Sequence, residues 1–133
     1  MPAPVTLVRR RICRAIALVA LLGASHAHGH HSIAAVYDSA ERRTLEAVVV
    51  EFRFENPHPK ILVEETGNDG RPVTWTLEMD NRWELAELGF DARTLRPGDR
   101  IVVSGSLSRR QPNALYVRRL ERPADGFSCE HHR

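Results

Sequence analysis

The sequence predicts an all-β domain with one short helix, arranged as a small five-stranded barrel. Three observations carry this prediction. Residues 44–58 form one long segment rich in valine and phenylalanine, which is typical of a strand. Residues 71–80 alternate between apolar and polar side chains, as a half-buried strand does. The period then becomes helical, so one helix interrupts a run of strands.

The first strand, residues 44–58, changes phase in its middle. Its apolar residues as far as Val49 share one face, whereas Phe52 and Phe54 lie one position out of step. A phase change of one residue predicts a β-bulge, and a bulge bends a strand so that it can pair within a closed sheet. Pro57 ends the strand because proline has no N–H to donate.

Turn sequences separate the later strands. A GNDG turn joins a second strand, 60–65, to the third. Pro-Gly-Asp precedes a fourth strand, 100–108, and Gln-Pro-Asn precedes a fifth, 114–120. The order strand, strand, strand, helix, strand, strand is that of an OB-like barrel. A plain antiparallel sandwich is the competing arrangement.

The helix lies between the third and fourth strands. Asn81 can cap its N-terminus, and Glu84 follows three residues later, as in a capping box. The helix is short and therefore needs packing against the sheet. We expect three apolar side chains to turn toward the core: Trp83, Leu85 and Leu88.

Residues 1–27 are predicted to be a secretory signal peptide. Four arginines precede an apolar core, residues 15–24, which is too short to cross a bilayer comfortably. Ser25 and Ala27 then place small residues at a cleavage site. We expect a periplasmic or secreted protein with no membrane segment after cleavage. A retained membrane anchor is the alternative.

Cleavage after Ala27 leaves 133 − 27 = 106 residues, enough for one small domain. We divide them into a His-rich arm (28–43), the barrel domain (44–122) and a flexible tail (123–133). The leader contains four of the 19 basic residues and none of the 17 acidic ones, so the mature net charge is 15 − 17 = −2. This charge argues against a nucleic-acid partner. Only Cys129 remains, so no internal disulfide can form.

The segment His28-Gly29-His30-His31 carries the strongest chemical signal in the chain. With His28 as first residue, its amine, two deprotonated amides and the His30 imidazole can form a square-planar set for Cu(II) or Ni(II). Alternatively, His28 chelates through its amine and ring, and His31 or His58 completes a T-shaped set. Both sets need neutral nitrogens, so affinity falls as the pH drops through the histidine range. A solvated tail that binds metal adventitiously is the competing interpretation.

A second class of function is a non-metal module that binds a small ligand or an envelope protein. Phe54 and Tyr116 are aromatic residues that can line the open face of such a barrel. Asn56 lies in the corner Asn56-Pro57-His58, which ends the first strand. We therefore name Phe54, Asn56 and Tyr116 as candidate ligand-binding residues. The sequence contains no Ser-His-Asp signature, phosphate loop or dinucleotide motif that would predict an enzyme.

Several segments of the mature chain form a recognisable set. They are His30-His31-Ser32 with Ala34, Ala35, Tyr37 and Asp38; Asn56-Pro57-His58; Trp75; Leu88-Gly89; and Leu95-Arg96-Pro97-Gly98-Asp99. The set resembles a family of small exported bacterial proteins known only as a domain of unknown function. Ala47 stands where that family usually has glycine, and Phe54 where it usually has tryptophan. The family has no settled activity, so the resemblance implies export and an OB-like fold but no mechanism.

Overall fold

The computed structural model describes the backbone of residues 29–130 and the side chains of residues 33–130. Residues 34–133 form one compact unit. The described elements are α1 (Gly29–Val36), β1 (Tyr37–Arg53), β2 (Lys60–Thr66), β3 (Pro72–Glu78), α2 (Arg82–Glu87), β4 (Arg100–Ser108), β5 (Ala114–Arg122) and β6 (Phe127–Glu130).

Backbone pairing closes the sheet. The strand order is β3-β2-β1-β4-β5-β6 with antiparallel neighbours, and β3 also pairs in parallel with the start of β5. Strands β1 to β5 therefore form a closed ring, and β6 pairs with the second half of β5. The predicted all-β class and the predicted order of β1 to β5 around α2 are confirmed. Within residues 29–130 the structure adds a sixth strand and a second short helix.

The long first strand contains the predicted bulge. The register between β1 and β2 shifts between Val49 and Glu51, and the side chains of Leu45, Ala47 and Val49 are buried. The strand begins at Tyr37 rather than at residue 44, because its first residues pair with the end of β4. A second register shift, between Asp38 and Arg42, separates this early pairing from the main ladder. Much of the predicted arm is therefore strand.

The core fills the inside of the ring and extends under α2. Leu85 is fully buried, as predicted, but the prediction for its neighbours is wrong: Trp83 is 78% exposed and Leu88 is 55% exposed. Successive helical residues are rotated by about 100°, so positions 83 and 85 point in nearly opposite directions. The side chain of Asn81 accepts a hydrogen bond from the Glu84 backbone N–H at 3.0 Å, which confirms the predicted cap.

The C-terminal segment, predicted to be flexible, contains β6. Its residues pair with β5, and the Phe127 ring lies 5.3 Å from the Phe90 ring in an edge-on arrangement. A contact between rings from segments far apart in the chain cannot be read from local sequence. The sequence of the C-terminal segment alone therefore could not predict this one. Across the described part of the chain, no helix has the length and apolarity needed to span a bilayer.

Candidate functional site

The loop between β1 and β2 forms a corner with the connection between β3 and α2. The Met79 backbone N–H donates to the Pro59 carbonyl at 2.9 Å, and the His58 Nδ1 atom lies 3.1 Å from the Met79 carbonyl oxygen. The peptide bond between Asn56 and Pro57 is cis. These contacts hold His58 and Pro59 against Met79, and Asn56 and Phe54 precede them directly in the chain.

The His58 ring has a defined hydrogen-bonding role. A carbonyl oxygen can only accept, so we assign the hydrogen to Nδ1, which donates to Met79. In the neutral ring, Nε2 then carries the lone pair and can accept a hydrogen bond or bind a metal ion. Histidines that ligate metals are commonly oriented in this way by a backbone carbonyl. The ring is half-buried, which limits its freedom to reorient.

Phe54 is partly covered and Asn56 is exposed. The Phe54 ring lies 5.9 Å from the Phe52 ring, and the Arg82 guanidinium lies 5.2 Å from the Phe54 ring centre. Arg82 begins α2, and the exposed Trp83 follows it directly. Sequence reasoning assigned Trp83 to the core and so missed the most accessible aromatic side chain here. Because positions 83 and 85 of a helix point in nearly opposite directions, burial of Leu85 would have predicted the exposure of Trp83.

The structure does not place Tyr116 on an open face. Its side chain is 3% exposed, and its hydroxyl donates to the buried carboxylate of Asp80. The Tyr37 hydroxyl donates to Glu78 Oε2 at 2.8 Å, and the two tyrosine rings lie 5.4 Å apart. We call Tyr37, Tyr116, Glu78 and Asp80 the tyrosine–carboxylate cluster. It forms where β3 pairs with β5, because Glu78 lies opposite Tyr116 in that register.

Both phenols of the cluster are held in the neutral form. Burial raises the pKa of Tyr37 well above its usual value, and the hydrogen bond to Glu78 raises it further. Burial is also the main cause that raises the pKa of Tyr116, and the hydrogen bond to Asp80 raises it further. The Arg118 guanidinium, 5.0 Å from the ring, opposes this shift. At neutral pH both hydroxyls therefore act as hydrogen-bond donors to the two carboxylates.

The cluster fixes the start of β1 to the sheet. Tyr37 is only 7% exposed, and the adjacent Asp38 carboxylate lies 3.1 Å from the Arg109 guanidinium. The Arg109 backbone N–H also donates to the Val36 carbonyl at 2.7 Å. Three kinds of contact thus hold residues 36–38. The chain is therefore fixed to the folded domain at residues 36–38.

The predicted N-terminal metal ligands fall largely outside the described residues. His28 is not among them, and the structure describes only the backbone of His30 and His31, which lies in α1. A square-planar set through two amides would hold residues 28–30 in one plane, whereas the backbone is helical from Gly29. Among residues with described side chains, no group of three or more His, Cys, Asp or Glu could hold a metal ion.

A family model described as a family of unknown function, DUF6152, matches residues 17–115. This span includes the histidine segment, the Asn56-Pro57-His58 corner and three members of the tyrosine–carboxylate cluster. No curated protein and no solved structure matches the chain.

Proposed function

The chain belongs to the DUF6152 family of unknown function, and we propose that it is an exported, periplasmic binding protein that holds Cu(II) through its mature N-terminal histidines. The observation that carries the proposal is the segment His28-Gly29-His30-His31, which ends six residues before the buried Tyr37. Imidazole and amine nitrogens are ligands that Cu(II) prefers. The histidines are followed by a folded domain rather than by a long linker.

The helical backbone of α1 favours one of the two copper geometries. Deprotonated amides in a plane would require the first turn of α1 to unwind, whereas chelation by the His28 amine and ring leaves the helix intact. We therefore assign the ion to the His28 amine, the His28 ring and the His31 ring. His30 is the ligand of the competing square-planar set.

The test begins with the protein recovered from the cell envelope. Intact-mass measurement should show that the chain starts at His28, and calorimetry should then detect one tight Cu(II) site. The double variant His30→Ala/His31→Ala should lose that site. The matched control, His131→Ala/His132→Ala, removes the same number of histidines from the other end of the chain and should retain it.

Two results would contradict this proposal. One is a mature protein that still carries residues before His28, because the free amine would then be absent. The other is equal loss of Cu(II) binding in the two double variants, which would indicate adventitious binding by any histidine pair. Among the single variants, loss of tight binding in His31→Ala with retention in His30→Ala supports the ligand set formed by His28 and His31.

His58 stays a candidate ligand because its Nδ1–H···O=C bond presents Nε2 as an acceptor. Replacement by glutamine keeps a polar side chain of similar reach but removes the imidazole. If His58 ligates the ion, His58→Gln should weaken Cu(II) binding and lower the number of imidazole nitrogens seen by electron paramagnetic resonance. Unchanged spectra would confine the site to the N-terminal segment.

A second candidate function is capture of a small ligand or an envelope protein at the Asn56-Pro57-His58 corner. The exposed Trp83, next to Arg82 on Phe54, favours it, since exposed tryptophan and arginine are enriched at binding hot spots. Trp83→Ala should abolish capture from periplasmic extract without changing the melting temperature. Leu88→Ala, which removes another exposed apolar side chain of the same segment, is the control. Equal capture by both variants and the parent protein would exclude this surface.

A further inference from the structure

A groove of about 860 Å³ crosses the face of the sheet that points away from the core, over β1, β2 and β4. Among the lining residues in the range 33–130, none belongs to the Asn56-Pro57-His58 corner. In β1 its lining residues Glu46 and Val48 alternate with the buried Leu45, Ala47 and Val49, so they point outward. Val48 and Val102 are half-buried, and Pro123 and Ala124 add an apolar border beyond β5. The groove thus offers hydrocarbon surface to an occupant.

The charges on the groove are unequal. Of the described residues, Glu46, Glu64 and Glu65 line it together with a single basic residue, Arg100. Glu65 is already neutralised, because it accepts from Arg43 at 2.9 Å and from the Trp75 indole N–H at 3.1 Å. Within residues 33–130, Glu46 and Glu64 have no ion-pair partner within 4.0 Å. The groove therefore presents two exposed, uncompensated carboxylates.

The strand register explains why Arg100 does not neutralise these carboxylates. Val48 lies opposite Glu64 on one side and opposite Arg100 on the other, so the apolar valine separates the two charges. Glu46 lies opposite Val102 and is two residues from Val48 along β1. The two free carboxylates thus border the apolar floor formed by Val48 and Val102, and Arg100 borders it from the β4 side.

We propose that this groove binds an extended basic segment of a partner protein, with lysine or arginine side chains against Glu46 and Glu64. Lysine and arginine fit both parts of the surface, since their aliphatic stems pack on apolar side chains while their charged ends reach a carboxylate. With residues 1–27 removed as predicted, the net charge is 15 − 17 = −2, which adds a general attraction for basic partners. A small polycation would satisfy the carboxylates but would leave the valine floor unused. An uncharged apolar segment would leave the carboxylates unused.

The proposal is tested with the mature exported protein and a fluorescein-labelled Lys-Val-Lys-Val-Lys peptide, followed by fluorescence anisotropy. Glu46→Gln/Glu64→Gln should weaken binding about fivefold, because each exposed charge pair contributes modestly. Glu41→Gln/Glu87→Gln makes the same charge change at exposed carboxylates outside the groove and should bind like the parent protein. Val102→Thr, which keeps the shape of the side chain, should also weaken binding. Added salt should reduce the affinity of the parent protein.

Three outcomes would overturn the proposal. Equal weakening of peptide binding in both double variants would mean that only the net charge of the protein matters. Competition by spermidine at the concentration at which the unlabelled peptide competes would identify the occupant as a small cation. Unchanged affinity in Val102→Thr would remove the apolar floor from recognition. None of these readouts involves copper, so failure here is distinct from failure of the metal proposal.

Discussion

Removing one hydroxyl from the tyrosine–carboxylate cluster should measurably destabilise the whole domain. Tyr116→Phe keeps the ring and its contact with Tyr37 but deletes the donor to Asp80, a carboxylate that is 8% exposed. Hydrogen bonds to charged groups contribute about 1.5–3 kcal/mol, and leaving a buried acceptor with one donor fewer adds a desolvation cost. We expect the free energy of unfolding to fall by about 2 kcal/mol, which lowers the melting temperature by about 10 °C.

The assay is urea denaturation of the parent protein, Tyr116→Phe, Asp80→Asn and the double variant, followed by circular dichroism. If the hydroxyl and the carboxylate interact as described, the effects of the two single changes should not add, and the coupling energy should be about 1 kcal/mol or more. The denaturant dependence of the free energy should stay constant, because the surface exposed on unfolding is unchanged. Additive single effects would refute the argument that this bond stabilises the closure of the sheet.

Three further predictions concern stability and use the same denaturation assay. Burial and carboxylate hydrogen bonds raise the pKa of both tyrosines in the folded state, so their contribution to the free energy of unfolding is complete below about pH 10 and is lost as the pH rises above it. Tyr37→Phe/Tyr116→Phe should flatten this alkaline decline in stability. An equally steep decline in the double variant would contradict the assignment. Gly105→Ala should cost about 3 kcal/mol or prevent folding, since its new Cβ atom would overlap the Tyr116 carbonyl oxygen; normal stability would show that β4 and β5 can separate without cost. Asn81→Ala should cost about 1 kcal/mol through loss of the helix cap, whereas Asn81→Asp should retain most of it; equal losses would mean that the cap has no role.

Local sequence pattern predicted the parts of the fold that depend on near neighbours. The bulge after Val49 follows from a change in side-chain alternation, and the cap at Asn81 follows from a spacing of three residues. Features that depend on distant segments were missed. The strand starts at Tyr37 because the end of β4 pairs with it, and β6 forms because β5 offers it an edge. The end of β4 is far from Tyr37 in sequence. Strand β6 follows β5 after the short turn 123–126, and its distant contact is the one between the Phe127 and Phe90 rings.

The candidate sites divide in the same way. The sequence by itself determined the histidine segment and the Asn56-Pro57-His58 corner, since their residues are adjacent in the chain and require no tertiary contact to be recognised. Only the tertiary structure buried Tyr116 against Asp80, and only the strand register placed Glu46 and Glu64 beside one apolar floor. Closing a sheet joins residues far apart in the chain, because hydrogen bonding between strands, rather than sequence separation, decides which side chains meet.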